Sequence, residues 1–311
     1  MARHSIILDC EPGQDDAVAL LLALASPEEI ELLAVATVAG NVPLALTQRN
    51  ARQILELAGR RDIPVHAGCE RPLARPLETA EYVHGETGLN GVELPEPSLP
   101  PAPGHAADAI IDHVMARPEG SVTLCPTGPL TNVALAMLKE PRLAPRLRGI
   151  VLMGGAMGLG NVTPAAEFNI YVDPHAATVV FGAGAPLVML GLDVTHQALV
   201  TRARLDRFGA LGTAVGRACF GMLDFFNRFD MARYRAEGAP LHDPCVIAYL
   251  LRPDLFRGRD CLVEIETEGR SAGRTNVHWW PRQPVTPNAT VIGDMDAAGF
   301  FDLLFERLGR L

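Results

Sequence analysis

Short apolar runs alternate along this chain with stretches of helical periodicity, and that alternation restricts its fold more than any other feature. Residues 5–8, 31–37, 64–66, 121–125, 149–153 and 187–191 read as strands. Residues 16–25, 44–58, 105–116, 130–139 and 175–181 read as helices. Brief strands that are apolar on both faces, each followed by a helix, are what a buried parallel sheet requires. Parallel neighbours cannot be joined by a hairpin and return through a crossover. The expected class is α/β, an open, mostly parallel sheet with helices on both faces. After Asp193 the pattern weakens. Residues 205–234 look mainly helical with glycine interruptions, and 242–250 is a further helix. Residues 261–267 and 289–292 read as strands and 296–308 as a closing helix. The proline-rich stretch 94–103 is a loop. No linker sets the last third apart, so one domain over residues 1–311 is expected.

Charge narrows the partners. The formal net charge is −9, and no Lys/Arg cluster with interleaved aromatics occurs, so a nucleic-acid partner is not expected. The apolar run 17–25 is far shorter than the ~20 residues of a membrane helix. Asp9 arrives too early for a secretory signal. The six cysteines are scattered without a CxxC pair, as for reduced thiols in the cytoplasm.

The chemistry concentrates where strands end. In open α/β sheets ligands bind beyond the carboxyl ends of the strands. Polar or glycine-containing segments follow the apolar runs at 9–16, 37–41, 127–128, 154–155 and Asp193, and they should converge on one sheet edge. The first, Asp9-Cys10-Glu11-Pro12-Gly13-Gln14-Asp15-Asp16, packs four carboxylates into one strand-to-helix turn. Two carboxylates about 4 Å apart repel by roughly 4 kcal/mol at an effective dielectric of 20. Such a turn calls for a cation or for unusual protonation. All-oxygen ligands select a hard ion such as Ca²⁺. Asp15 and Asp16 could instead cap the helix, but capping does not explain Asp9 and Glu11. A phosphotransfer enzyme of the haloacid dehalogenase type also begins strand-Asp-x-acid. Gly13 stands where those enzymes usually carry Thr or Val, and no phosphate-binding lysine follows convincingly, so this reading is weaker.

The acidic turn resembles the Asp-x-Asp-Pro-Gly-x-Asp-Asp motif of the calcium-dependent nucleoside hydrolases. Further matches follow in the family's order: Thr37-Val38-Ala39-Gly40-Asn41, His84-Gly85-Glu86-Thr87-Gly88-Leu89, Pro126 to Asn132, and Met153-Gly154-Gly155. Then come Ala166 to Ile170, Asp173-Pro174, Gly191 to His196 and His242-Asp243-Pro244. The resemblance covers essentially the whole chain. It implies a Rossmann-like fold and hydrolysis of the N-glycosidic bond of ribonucleosides of the inosine/uridine type, as in purine and pyrimidine salvage. It implies Ca²⁺ held by Asp16, Asp243, the Thr127 carbonyl and the acid at position 11. Asp15, Asn41, Asn161, Glu167 and Asn169 would hold the ribose, with His84, Met153 and Phe168 also on the substrate. Glu11 would take a proton from the Ca²⁺-activated water, and His242 would give one to the leaving base. Relatives are homodimers or homotetramers.

Each assignment has a plainer alternative. His84 could be an ordinary loop residue, Glu167 and Asn169 turn formers, and Phe168 core. Phe225, Phe226 and Tyr234 lie in a segment that walls the base in relatives, yet aromatic residues at helical spacing are usually core. Asp9 could orient its neighbours rather than touch metal. Gly154-Gly155 lacks the Lys and Ser/Thr of a phosphate loop. The chain departs from the family at Glu11, where Asp is expected. One methylene shifts the carboxylate by up to about 1.5 Å, and a ~1 Å misplacement can lower rate ~100-fold. The alternative to a working enzyme is therefore an impaired one, a Ca²⁺-dependent nucleoside or ribose binder. His242-Asp243-Pro244 resembles members that accept inosine and uridine, while Glu81-Tyr82-Val83-His84 does not fix the base.

Overall fold

The first strand explains why apolar runs here need no alternation. In the computed structural model, which describes residues 3–311, β1 (His4–Cys10) turns Ile6, Leu8 and Cys10 into one apolar layer and Ile7 into the other. Both faces of the strand are covered, so both must be apolar. The remaining strands are β2 (Ile30–Thr37), β3 (Val65–Ala67), β4 (Val122–Pro126), β5 (Gly149–Met153), β6 (Leu187–Leu190), β7 (Phe256–Cys261), β8 (Val263–Ile265), β9 (Thr275–Val277) and β10 (Ala289–Met295). Among the described residues, eight form one sheet in the order β3-β2-β1-β4-β5-β6-β10-β7. All pairs are parallel except β10 with β7. β8 and β9 pair separately as an antiparallel ribbon. Helices cover both faces. Gln14–Leu24 is buried along its whole length on one side, while Ala106–Met115, Thr131–Lys139 and Pro174–Gly182 cover the other.

The expected α/β class holds, and most boundaries differ by one or two residues, as helix and strand ends commonly do. The differences beyond that have physical causes. Residues 261–267 do not form one strand: Cys261 ends β7 in the main sheet, and β8 begins the ribbon at Val263. The rest of β7 gave no apolar signal, because Arg257, Gly258, Arg259 and Asp260 are exposed on an edge strand. The helical stretch 205–234 is two helices, Arg202–Ala210 and Ala214–Tyr234. They separate at Gly212, which takes φ +73°, a left-handed conformation that glycine adopts without strain.

The topology places the site. The chain enters in the middle of the sheet, winds outward through β2 and β3, then returns to β4 on the other side of β1. Strand order reverses there, so the loops leaving β1 and β4 part and open a crevice at their carboxyl ends. Glu11 follows the end of β1 and Thr127 the end of β4.

Candidate active site

Asp16 lies one turn inside the helix that β1 feeds. Its Oδ1 accepts from the Glu11 amide at 3.2 Å and the Thr127 hydroxyl at 2.7 Å, and its Oδ2 from the Gly13 amide at 3.0 Å and Asn41 Nδ2 at 3.2 Å. It therefore does cap the helix, yet it is also one of three buried carboxylates that converge. Single oxygens of Asp15, Asp16 and Asp243 all lie within 4.8 Å of one another. Asp243 arrives from the N-terminus of the helix Pro244–Leu251. Burial raises all three, and the neighbouring acids raise Asp15 and Asp243 further: Asp15 is pushed up to about 7, and Asp243 well above the usual carboxylate range. Asp15 Oδ1 is buried without a hydrogen-bond partner. An all-oxygen set, mutually repelling and with an orphaned acceptor, fits a hard divalent cation.

Glu11 lines the same cleft but is not one of that converging trio. Its Oε2 accepts the Asn41 amide at 2.8 Å. Two glycines make room for the longer side chain. A Cβ on Gly40 would stand 1.5 Å from Oε2, and one on Gly128 would stand 2.9 Å from Cγ. Burial and the neighbouring Asp16 push this carboxyl well above its ordinary range. Asp9 points elsewhere: it accepts from Asn132 Nδ2 at 2.8 Å, and Asn132 also binds the Thr37 carbonyl.

Opposite the acids, the short helix Phe168–Val172 begins at Glu167. That carboxylate accepts the amides of Asn169, Gly155 and Ile170 at 3.0, 2.8 and 3.3 Å. Burial still raises it to about 7 against those bonds. Asn169 donates through Nδ2 to the carbonyls of Thr127 and Met153, and Asn161 accepts the Phe168 amide. Glu167 and Asn169 are thus turn formers and cleft residues at once. Gly155 has φ +78°, and a Cβ there would meet Met189 at 2.5 Å, so Gly154-Gly155 serves close packing beside the cleft.

The remaining wall is aromatic and imidazole. His84 stacks on Phe226 with ring centroids 5.4 Å apart, and Tyr82 meets Phe229 at 5.5 Å. Gln14 donates its amide nitrogen to the carbonyls of His84 and Asn90, which leaves its oxygen to accept from His84 Nδ1 at 2.8 Å. His84 therefore carries its proton on Nδ1 and offers Nε2 as an acceptor. Burial drives its pKa down to about 3. His242 sits beside His196, ring centroids 5.7 Å apart, and burial with the two neighbouring imidazoles holds it well below the usual histidine range.

Together these residues line one cleft that is partly open to solvent. Of the residues expected from sequence, Glu11, Asp15, Asn41, His84, Thr127, Met153, Asn161, Glu167, Phe168, Asn169, His242 and Asp243 line it, and Asp16 joins through the carboxylate cluster. Of the aromatic candidates Phe226 lines it and Phe225 does not; the side chain of Tyr234 lies outside the described residues. His196, Phe229 and Asp230 line it without having been expected as site residues, as do Ala80, Tyr82, Val83 and Val162. Phe226, Phe229 and Asp230 stand at i, i+3 and i+4, and that spacing alone would have put them on one helix face.

Comparison with known proteins agrees with this geometry. Residues 6–302 match the family described as inosine-uridine preferring nucleoside hydrolase. The chain is 50% identical over 307 residues to the pyrimidine-specific ribonucleoside hydrolase RihA of Enterobacter sp. (strain 638), covering 98% of this chain and 97% of the relative. Among solved structures, a purine-preferring ribonucleoside hydrolase from Gardnerella vaginalis superposes with a TM-score of 0.92 at 32% identity, with 98% of both chains covered. A plant nucleoside hydrolase, the PpNRh1 enzyme, gives 0.91 at 34%, again covering 98% of both. This chain belongs to the nucleoside hydrolase family, and it is an enzyme that hydrolyses the N-glycosidic bond of ribonucleosides. A binder without turnover is not favoured. Among the described residues no helix is long and apolar enough to cross a membrane.

Proposed function

We propose that this hydrolase releases ribose from pyrimidine ribonucleosides in preference to purine ones and holds Ca²⁺ in its acidic cluster. The observation that carries the reading is the division of one cleft into a converging trio of buried carboxylates and an aromatic–imidazole wall. Asp16, Asp243 and the Thr127 carbonyl would hold the ion, with Asp15 and Glu11 beside it. When bound, the ion supplies charge neutralisation for these acids and Lewis acidity toward water and the sugar diol.

The chain's own residues do the rest. Asp15, Asn41, Asn161, Glu167 and Asn169 present the carboxylate and amide groups that grip ribose hydroxyls, and Met153 and Phe168 pack against the sugar. The breaking bond leaves positive charge on the ribosyl ring, which a wall of carboxylates stabilises. Glu11 is the base that takes a proton from the attacking water. His242 is the donor that assists the departing base through its N–H. His84 stacks with Phe226 and accepts a hydrogen bond from the base through Nε2.

Pyrimidine preference is supported by the relatives near 50% identity, whose names carry it. A single domain over 1–311, a homodimeric or homotetrameric assembly, a cytoplasmic location and a role in salvage accompany the reading. Parallel measurement of kcat/KM for uridine, cytidine and inosine with Ca²⁺ tests it. Uridine is expected to lead inosine by about tenfold or more, the scale at which one pocket discriminates; equal values or an inosine preference would refute the pyrimidine assignment.

A further inference from the structure

His84 and His242 face the same cleft, and the partner of each Nδ1 differs in kind. Gln14 offers His84 an amide oxygen, which can only accept. His242 Nδ1 instead meets the hydroxyl of Thr195, 2.7 Å away. Thr195 is fully buried at the end of the short helix Leu192–Thr195, 47 residues from His242 in sequence. Among the described residues that hydroxyl makes no other hydrogen bond. A buried O–H without an acceptor is strongly disfavoured. The hydroxyl therefore donates to Nδ1.

An imidazole that accepts at Nδ1 carries its one remaining proton on Nε2. That nitrogen makes no protein hydrogen bond among the described residues, and the ring lines the cleft. We infer that Thr195 is a positioning residue that locks His242 as the neutral Nε2–H tautomer, whose N–H donates a hydrogen bond to the leaving base as negative charge builds there. The two histidines thereby become complementary, His84 presenting an acceptor and His242 a donor. Without the hydroxyl, His242 could carry its proton on Nδ1 and present a lone pair to the base, which cannot assist departure. The inference rests on the proposed role of His242 as the donor at the leaving base.

The test pairs two substrates in the full, Ca²⁺-loaded enzyme. Uridine needs a donor at its leaving group, whereas p-nitrophenyl β-D-ribofuranoside releases a stable phenolate and does not. Thr195→Val is expected to lower kcat on uridine by roughly 10- to 100-fold and to spare the nitrophenyl riboside, with Thr195→Ser restoring most of the loss. In ¹⁵N spectra of histidine-labelled enzyme, His242 Nδ1 should resonate as an unprotonated ring nitrogen in the wild type and shift toward the protonated position in Thr195→Val. Equal loss on both substrates, no loss on uridine, or an unchanged Nδ1 resonance would overturn the inference. His242→Ala separates the two layers. If it shows the selective loss while Thr195→Val does not, the positioning role falls and the donor role stands; if His242→Ala is not selective, both fall.

Discussion

Glu11 sits in a slot that two glycines leave open. Gly40 and Gly128 leave space where any Cβ would collide with it, and the Asn41 amide holds one of its oxygens. Among the described residues the other oxygen receives no hydrogen bond, although the residue is buried in the cleft wall. The departure from aspartate is thus accommodated locally, and the carboxylate stays beside the cluster without entering the trio of Asp15, Asp16 and Asp243. Glu11→Gln keeps the size and can keep the Asn41 contact through its amide oxygen, but it cannot accept a proton. Its kcat on uridine is predicted to fall roughly 100-fold with KM changed much less, since general-base catalysis is typically worth that much. An unchanged kcat in steady-state assays would remove Glu11 from the base role.

The helix Ala214–Tyr234 supplies Phe226, Phe229 and Asp230 to the cleft, and it is seated against the loop that follows His84 by a glycine pair. A Cβ on Gly221 would stand 2.3 Å from the Gly91 carbonyl oxygen, and one on Gly91 would stand 2.2 Å from that of Gly221. Neither backbone oxygen can turn aside as a flexible side chain could. Gly221→Ala should therefore lift the helix from the loop, widen the aromatic wall and raise KM for uridine several-fold. It should also destabilise the fold by about 1–3 kcal/mol, as overpacking does; kinetics and urea unfolding on the same variant check both. Unchanged KM and stability would show that this contact does not set the wall. The approach of Gly221 to Gly91 is also an instance of what sequence does not show. The central strands were legible because burial on two faces leaves continuous apolar runs. The acidic turn was legible because its carboxylates are adjacent in the chain. β7 was missed because an exposed edge strand tolerates Arg-Gly-Arg-Asp. The contact of Thr195 with His242, like the seating of one glycine on another 130 residues away, is made by the tertiary fold and leaves no local period. Glu11 was visible as a departure, but the space that receives it belongs to Gly40 and Gly128, which other loops carry.

Acid groups that burial holds protonated make the whole molecule's stability depend on pH. Glu167 and Asp15 are both raised to about 7 from ordinary values near 4, and Asp9 likewise to about 7. Groups raised in this way bind protons more tightly in the folded than in the unfolded state. Their contribution is present in full below the unfolded values and is lost as pH rises through the folded ones. His84 and His242, held neutral by burial, work the other way up to their unfolded value near 6.5, so the metal-free protein is predicted to lose melting temperature between about pH 6.5 and 7.5. Ca²⁺ should oppose this, because a cation favours the ionised carboxylates. The rise in Tm on adding Ca²⁺ should be larger at pH 7.5 than at pH 5, which thermal scans with and without the ion can read. A Ca²⁺ increment independent of pH would contradict the assignment of the acidic cluster as the ion's site.

One measurement bears most directly on a Ca²⁺-dependent ribonucleoside hydrolase: release of free ribose from uridine at neutral pH by protein as purified, after exhaustive chelation, and after Ca²⁺ is restored. Ribose should appear with the first, fall by about 100-fold or more with the second, as expected when the groups that position the reaction are lost, and return with the third. Undiminished release by the chelated protein would contradict the metal-dependent chemistry proposed for Asp16 and Asp243, and no release in any of the three would contradict ribonucleoside hydrolysis itself.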